Sequence, residues 1–414
     1  MLEVFILTTR YPYGVGEEFF ADELAFWAKR SDVAVTIFPL DSAGSKRAVP
    51  DGIKTNEILA RASPLQKYLA ALGVVFSPFF LKEAASLLRS GRLSLGRLKS
   101  LVGCVATMSR VEKRLGLFIK QTKKPDVIYS YWNEAAAYGA CLVKRKGLTP
   151  HVVSRAHGAD LYQERRPGSY APLKRRFVSD FDRVYVLAQD AGKYFVDTYG
   201  ASPLVVRVAP LGVKLPPEQN LPARRENALS VLSLSYCVPI KRIDRIIDAL
   251  ANAAPRLPDW KIQWTHVGGG PLFEQLVKRA SAMLDSHQNV VYRFTGPLPN
   301  EQVKKLLASD RFDVIVNSSD SEGIPVSLME AMSYGIPVIA TDVGEVKSLV
   351  SEDVGVLLSA TPTPAAIGDA LCSIATSPDQ SKLCRAARAK VENFFNEEKN
   401  YTRFVACVVE VASA

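Results

Sequence analysis

The chain has 414 residues, 48% of them hydrophobic and 23% charged, and a formal net charge of +10. That length exceeds what one hydrophobic core usually organises, so two domains are expected, and the composition excludes disordered, collagen-like and disulfide-framed classes. The six cysteines, Cys104, Cys141, Cys237, Cys372, Cys384 and Cys407, are scattered, with no C-x-x-C pair and no histidine cluster beside them. They read as buried thiols in a reducing compartment, not as a zinc site.

Met1 to Arg10 carry no basic leader and too short an apolar core for a secretory signal, and Val4 to Thr8 reads as a first buried strand. A helix through Phe19 to Lys29 follows, then strands at Val33 to Phe38, Val127 to Ser130, Val152 to Ser154 and Val184 to Val186. Strands spaced by helical stretches argue a doubly wound parallel sheet. From Arg61 to Lys124, thirteen cations face only Glu83 and Glu112, with leucines interleaved and Phe76, Phe79 and Phe80 ahead of most of them. Such a segment can lie on an anionic membrane surface, the plainer alternative being solvated helices that cover the sheet. The apolar run Tyr68 to Leu81 is too short to span a bilayer, and no recognised nucleic-acid module accompanies the basic charge, so no nucleic-acid partner is expected.

A proline-bearing passage, 209–225, reads as an interdomain linker and sets a first domain at 1–208 and a second at 226–393. The second domain restarts the alternation, with strands at Leu229 to Ser235, Ile262 to Val267, Val290 to Phe294 and Val314 to Asn317. Helices are expected at Arg242 to Ala251, Pro271 to Leu284 and Glu301 to Ala308. After the last of these strands Pro325 stands where a helix takes its first residue, and Gly335 ends that helix before a strand at Val338 to Ala340. A helix start at the mouth of a parallel sheet offers amides and a partial positive charge to phosphate, here around Gly323 and Ile324. Glu322 lies just before the first turn and Glu330 roughly 8 to 12 Å further along the axis. Two carboxylates so placed can hold two hydroxyl-bearing groups with a diphosphate between them.

The string Ser321-Glu322-Gly323-Ile324-Pro325-Val326-Ser327-Leu328-Met329-Glu330-Ala331 resembles the E-x7-E signature of retaining glycosyltransferases of family 4. The resemblance extends along most of the chain, with a likeness to exopolysaccharide and lipopolysaccharide assembly transferases of the colanic-acid type. It implies the GT-B fold: α/β, two Rossmann-like doubly wound parallel-sheet domains facing a cleft, the first completed by a C-terminal helix within 394–414. It also implies that Glu322 holds hydroxyls of the donor sugar and Glu330 the ribose. Lys241 matches the family lysine that neutralises the donor diphosphate, Tyr236 stands where the family has an arginine, and Arg242 is beside the lysine. A cation at the leaving group lowers the barrier, which makes Lys241 the candidate catalytic cation.

Gly268 and Gly269, between a strand and a helix, and Leu298 match family loops that approach the nucleotide. In the first domain His157-Gly158-x-Asp160 resembles the loop that reaches the donor sugar, which gives His157 a sugar or phosphate contact. Gly14 and Gly16, followed by Glu17 and Glu18, resemble the glycine loop near the leaving phosphate. The function implied is retaining transfer of a hexosyl group from a UDP- or GDP-sugar to a carbohydrate acceptor, lipid-linked or an oligosaccharide, in cell-surface polysaccharide synthesis. The expected place is the cytoplasm, peripheral on the inner face of the membrane. No cofactor and no metal is expected, since no Asp-x-Asp pair sits at a strand end and no His/Asp cluster has ligand spacing.

Three alternatives compete with this reading. A non-catalytic nucleotide-sugar-binding or assembly protein would use the same residues. A nicotinamide-dependent oxidoreductase would use the Gly268 loop, which lacks the G-x-G-x-x-G spacing. An inverting glycosidase would use Glu322 and Glu330, whose place at a phosphate-type helix start speaks against it.

Overall fold

The computed structural model describes residues 1–14, 17–60, 73–217 and 226–414. They form two compact units, Met1–Pro210 with Glu398–Ala414, and Leu211–Glu397.

Unit 1 is built on a seven-stranded parallel sheet of order β3-β2-β1-β4-β5-β6-β7. Its strands are β1 (Leu2–Thr8), β2 (Val33–Pro39), β3 (Lys54–Thr55), β4 (Val127–Ser130), β5 (His151–Ala156), β6 (Arg183–Val186) and β7 (Val206–Val208). The central strands are covered on both faces, which is why Val4 to Leu7 and Val127 to Tyr129 read as unbroken apolar runs. β1 pairs with β2 from Leu2 opposite Val33 and with β4 from Val4 opposite Val127, so the strand order reverses between β1 and β4. The long helix Leu95–Gln121 lies against the helix Ala135–Arg145 at Gly139, where a Cβ would come within 2.7 Å of Val111.

The helix Glu397–Ser413 closes unit 1. Its Tyr401 packs on Phe26, and its Phe404 sits between the rings of Tyr129 and Tyr185, 4.4 Å from the Arg155 guanidinium. Arg155 is fully buried, pairs with Glu23 at 2.6 Å and donates to the carbonyls of Ala209 and Pro210. Those extra acceptors offset the desolvation that a buried ion pair suffers. The sequence leads one to expect a continuous helical stretch from Phe394. The chain instead ends one helix, Gln380–Phe394, and breaks at Phe395 and Asn396, where Asn396 bridges Val213 in unit 2, before the last helix begins.

Unit 2 carries a six-stranded parallel sheet of order β10-β9-β8-β11-β12-β13. The strands are β8 (Ala228–Leu234), β9 (Lys261–Val267), β10 (Val290–Phe294), β11 (Val314–Asn317), β12 (Val338–Thr341) and β13 (Gly355–Leu358). Here the order reverses between β8 and β11. Ile246, Leu250, Trp264, Ile339 and Leu371 form part of one apolar core between the sheet and its helices. Of the proline-bearing passage, Val213 bridges Asn396 and the Pro216 carbonyl accepts from Arg388, while 218–225 lie outside the described residues. Among the described residues, no helix is long and apolar enough to cross a membrane.

Candidate active site

Open parallel sheets bind ligands at the carboxyl ends of their strands where the order reverses. In unit 2 that point is the gap between the ends of β8 and β11. The chain leaving β8 makes a short turn, Pro239–Lys241, that carries Lys241, and passes through Arg242 in a left-handed conformation. The chain leaving β11 meets it: the Asp320 amide donates to the Ile240 carbonyl, and Ser318 Oγ donates to the Arg242 carbonyl.

Glu322 is the centre of this arrangement. Its Oε1 accepts from Lys241 Nζ at 2.6 Å, Ser319 Oγ at 2.7 Å and Asn317 Nδ2 at 3.0 Å. The Glu322 side chain is 8% exposed and that of Lys241 is 24% exposed, so a carboxylate that would be costly to bury alone is compensated by one cation and two neutral donors. Thr341 Oγ1 fixes the Ser319 carbonyl from β12, and the Glu345 amide fixes that of Gly323. The following helix is Val326–Ser333, one residue later than the sequence suggests, because Pro325 is the extended cap and not the first helical residue. Glu330 lies on that helix, with Asn300 Nδ2 at 3.4 Å.

The glycine loop after β9 is laced to both neighbours. Gly268 donates to the Gly296 carbonyl, the Cys237 amide to the Gly269 carbonyl, and Gly269 lies against Pro297, one residue before the half-buried Leu298. Gly268 has φ +144, and a Cβ there would fall 1.9 Å from the Ser235 carbonyl oxygen. Beneath the loop, His266 holds Ser233 Oγ at 2.8 Å and Cys237 Sγ at 3.3 Å, and Trp264 donates to the same Ser233 oxygen. Burial pushes His266 down to about 4, so it is neutral near pH 7. The role of His266 follows from period-two placement of Trp264 and His266 on one face of β9, which the sequence contains but the glycine motif overshadows.

Two of the expected donor-site residues of this unit stand apart. Arg242 is taken up by Asp244 at 2.9 Å and Asp320 at 3.2 Å, which raise its pKa, and Asp320 also pairs with Arg245. Tyr236 is largely exposed.

In unit 1, His157 follows β5 and caps the short helix Gly158–Leu161. Its ring lies between Tyr131 and Trp132, 4.6 Å from each centroid, and neither ring nitrogen has a hydrogen-bond partner among the described residues. Burial, with Arg155 adding repulsion, holds its pKa well below the usual range, so the ring is neutral with one donor and one acceptor to offer. Asp160 accepts from the His157 and Asn133 amides, and the buried Lys174 donates to Asn133 and to the Asp160 carbonyl. Gly14 has φ +59 and donates to the Ser45 carbonyl, whereas Gly16 lies outside the described residues. Glu17 clasps the loop after β1, accepting from the amides of Thr9, Arg10 and Tyr11 and from Trp132 Nε1. Neither that clasp nor Lys174 was assigned by the sequence motifs.

Residues 16–212 match the family described as glycosyl transferase 4-like domain, and residues 218–392 that described as glycosyl transferases group 1. The chain is 24% identical over 310 residues to the amylovoran biosynthesis glycosyltransferase AmsK of Erwinia amylovora, covering 72% of this chain and 74% of that one. In fold it is similar to the lipopolysaccharide outer core galactosyltransferase WaaB in its apo form, at TM-score 0.70 and 16% identity over 99% of each chain. It is also similar to Anabaena HepE in complex with UDP and glucose, at TM-score 0.62 and 17% identity over 99% of this chain and 100% of that one. Two adjoining glycosyltransferase domains that together account for nearly the whole chain, each on its own parallel sheet, mean that this chain belongs to the GT-B glycosyltransferases.

Proposed function

We propose that the chain transfers a hexosyl group from a nucleotide sugar, a UDP- or GDP-sugar, to a carbohydrate acceptor carried on a lipid, with retention at the anomeric carbon, in the synthesis of cell-surface polysaccharide. The observation that carries this reading is the Lys241–Glu322 pair, with Asn317 and Ser319, at the order reversal of the unit 2 sheet. A donor hydroxyl that donates to Glu322 takes the place of Lys241 on that carboxylate and releases the ammonium to the diphosphate. As the bond between the anomeric carbon and the diphosphate oxygen breaks, charge grows on that oxygen and Lys241 meets it. The acceptor oxygen bonds to the same carbon and its hydroxyl proton passes to the departing diphosphate oxygen. Glu330 receives the ribose hydroxyls, and His157, being neutral, gives and accepts one hydrogen bond each. Retention rests on the E-x7-E likeness, and Lys241 is proposed to serve without a metal.

The polysaccharide setting is supported by AmsK, named for amylovoran biosynthesis, and by WaaB, named for the lipopolysaccharide outer core; HepE, with UDP and glucose, supports the donor class. The lipid side is supported by the surface of unit 1. Phe76, just before the helix Pro78–Arg89, is 81% exposed, Leu88 within that helix 64%, and Leu95, the first residue of the helix Leu95–Gln121, 86%, with Lys82, Arg89 and Lys99 exposed along the two helices. Exposed apolar groups rimmed by cations suit an anionic bilayer. Not every cation of the segment contributes: Arg92 and Arg97 hold the carbonyls of Ser169 and Gly168, Arg114 holds that of Ile58, and Arg61 and Lys67 lie outside the described residues. The test is a panel of UDP- and GDP-sugars, with and without chelator, followed by NMR of the product's anomeric centre. A donor consumed with retention is expected in both conditions. An inverted product refutes retention, activity lost with chelator and restored by magnesium refutes metal independence, and no binding of any donor refutes the whole reading.

A further inference from the structure

A cavity of about 470 Å³ lies at the β7 edge of the unit 1 sheet and is lined wholly by residues of that unit. It starts at the amino ends of β5 and β6, at His151 and Arg183, and runs along β7 to Pro210. Its other wall is one face of the helix Glu397–Ser413, where Arg403, Phe404, Cys407 and Val411 recur at spacings of three and four. On the sheet side Tyr185 pairs with Arg207 across β6 and β7, and Arg183 is two residues before Tyr185, so all three side chains leave the same face. A covered face of a parallel sheet ordinarily carries apolar residues. Protection of a sheet edge accounts for Arg207 on β7 but not for Arg183, whose strand is paired on both sides.

The donors of this cavity are unspent. Arg183 donates to the Asp182 carbonyl and Arg207 to those of Pro203 and Val206, and among the described residues neither they nor Arg403 pair with a carboxylate. Tyr185 is 3% exposed, yet its hydroxyl has no hydrogen-bond partner among the described residues. The titratable neighbours of that hydroxyl, Cys407, Arg183, Glu410 and Arg207, all line the cavity, so it faces inward; burial keeps it protonated and a donor. Among the lining side chains three arginines stand against Glu410, since Asp182 is matched by Lys144 at 2.6 Å. Positive charge stays in excess when a carboxylate at Ala414 is counted as well. Guanidinium forks match phosphate, whose three terminal oxygens take more donors than the two of a carboxylate. The volume exceeds that of a bare phosphate, and Val208, Pro210 and Val411 supply apolar surface for an organic group. We propose that this cavity binds a small organic phosphate, with Arg183, Arg207, Arg403 and Tyr185 donating to the phosphate group. The site shares no residue with the donor site of unit 2 or with the His157 loop, and does not rest on the transfer reaction proposed above.

The test titrates the full chain at pH 7 with glucose 6-phosphate, glycerol 3-phosphate, inorganic phosphate and glucose, by calorimetry and by phosphorus NMR. The first two stand for the two sources of such a group, a sugar phosphate and a lipid headgroup, and the tighter of them names the source. At least one should bind with a Kd below about 5 mM, inorganic phosphate at least about fivefold more weakly, and glucose not at all. Arg183→Gln, Arg207→Gln and Arg403→Gln should each weaken that ligand by about fivefold or more, and Tyr185→Phe by about threefold. Arg207 and Arg403 are exposed, so their variants should keep the parent's melting temperature without ligand. Lys241→Gln, in unit 2, should leave the affinity within about twofold of the parent. The proposal is overturned if neither organic phosphate binds below about 5 mM, if inorganic phosphate or glucose binds as tightly, or if Arg207→Gln and Arg403→Gln bind like the parent. Binding lost in Lys241→Gln and kept in the arginine variants would move the phosphate to the donor site and overturn it equally.

Discussion

Because Lys241 and Glu322 pair, the proposed reading has Glu322→Gln act differently on two ligands. A free nucleoside diphosphate draws Lys241 away from Glu322 and gives the carboxylate nothing in return. The pair is 2.6 Å long with side chains 24% and 8% exposed, between the surface pairs worth up to about 1 kcal/mol and the buried ones whose disruption costs about 3 to 5 kcal/mol. Taking about 1 to 2 kcal/mol for its release, Glu322→Gln should tighten UDP or GDP, whichever the parent binds, by roughly five- to thirtyfold. The corresponding nucleotide sugar loses a charged acceptor for its hydroxyl, worth about 1.5 to 3 kcal/mol, so its gain is cancelled or reversed. Isothermal titration of both ligands into parent and variant reads the difference directly. Affinity for the free diphosphate unchanged within about twofold would refute the idea that Lys241 is shared between the two partners.

Glu330→Ala should weaken nucleotide binding by about 1.5 to 3 kcal/mol whatever sugar is attached, and equal losses for UDP and UDP-sugar, or GDP and GDP-sugar, in titration check this. Gly268→Ala forces a Cβ toward the Ser235 carbonyl at 1.9 Å, so it should lower the melting temperature and abolish nucleotide binding; a variant that binds normally contradicts the close approach. His266 is held down to about 4 from its ordinary 6.5, so the unfolded chain binds more protons and its share of stability, complete above pH 6.5, is lost as pH falls toward 4, by roughly 3 kcal/mol in all. Urea unfolding across that window should show His266→Gln losing less stability than the parent. Replacing Lys82, Arg89 and Lys99 by Gln should reduce co-sedimentation with anionic vesicles, where each cation contributes about 1 kcal/mol, and leave the absence of binding to neutral vesicles unchanged.

Both sheets could be read from the sequence because their central strands are buried on two faces and so appear as apolar runs. β3, β7 and β13 could not, since an edge strand of two to four residues with an exposed Arg207 or an opening Gly355 carries no such run. Glu322, Glu330 and Lys241 could be proposed from the sequence because short motifs fix them locally. Glu17 was missed as a clasp because its partner Trp132 is 115 residues away, and Lys174 because the carbonyl of Asn133 is 41 residues before it. Nothing local announces such contacts. The basic segment shows the converse: thirteen charges look alike in sequence, yet Arg92, Arg97 and Arg114 are spent on backbone carbonyls inside unit 1.

The same distinction explains why Arg242, adjacent to Lys241, is a poor substitute for it. Arg242 lies between Asp244 and Asp320, pairs with both carboxylates, and has its pKa raised by both. Drawing it toward a phosphate would expose both acids at once to a like-charged ligand. Lys241 has one carboxylate partner, Glu322, and that partner keeps Asn317 and Ser319 as donors when the ammonium leaves. A cation that can move must leave behind an anion that remains solvated by the protein, and among the cations at this strand end Lys241 meets that condition. On the proposed reading, Ser319 and Asn317 are thus as necessary to a mobile Lys241 as the lysine is to the phosphate, because they hold the carboxylate in place for the sugar that would replace it.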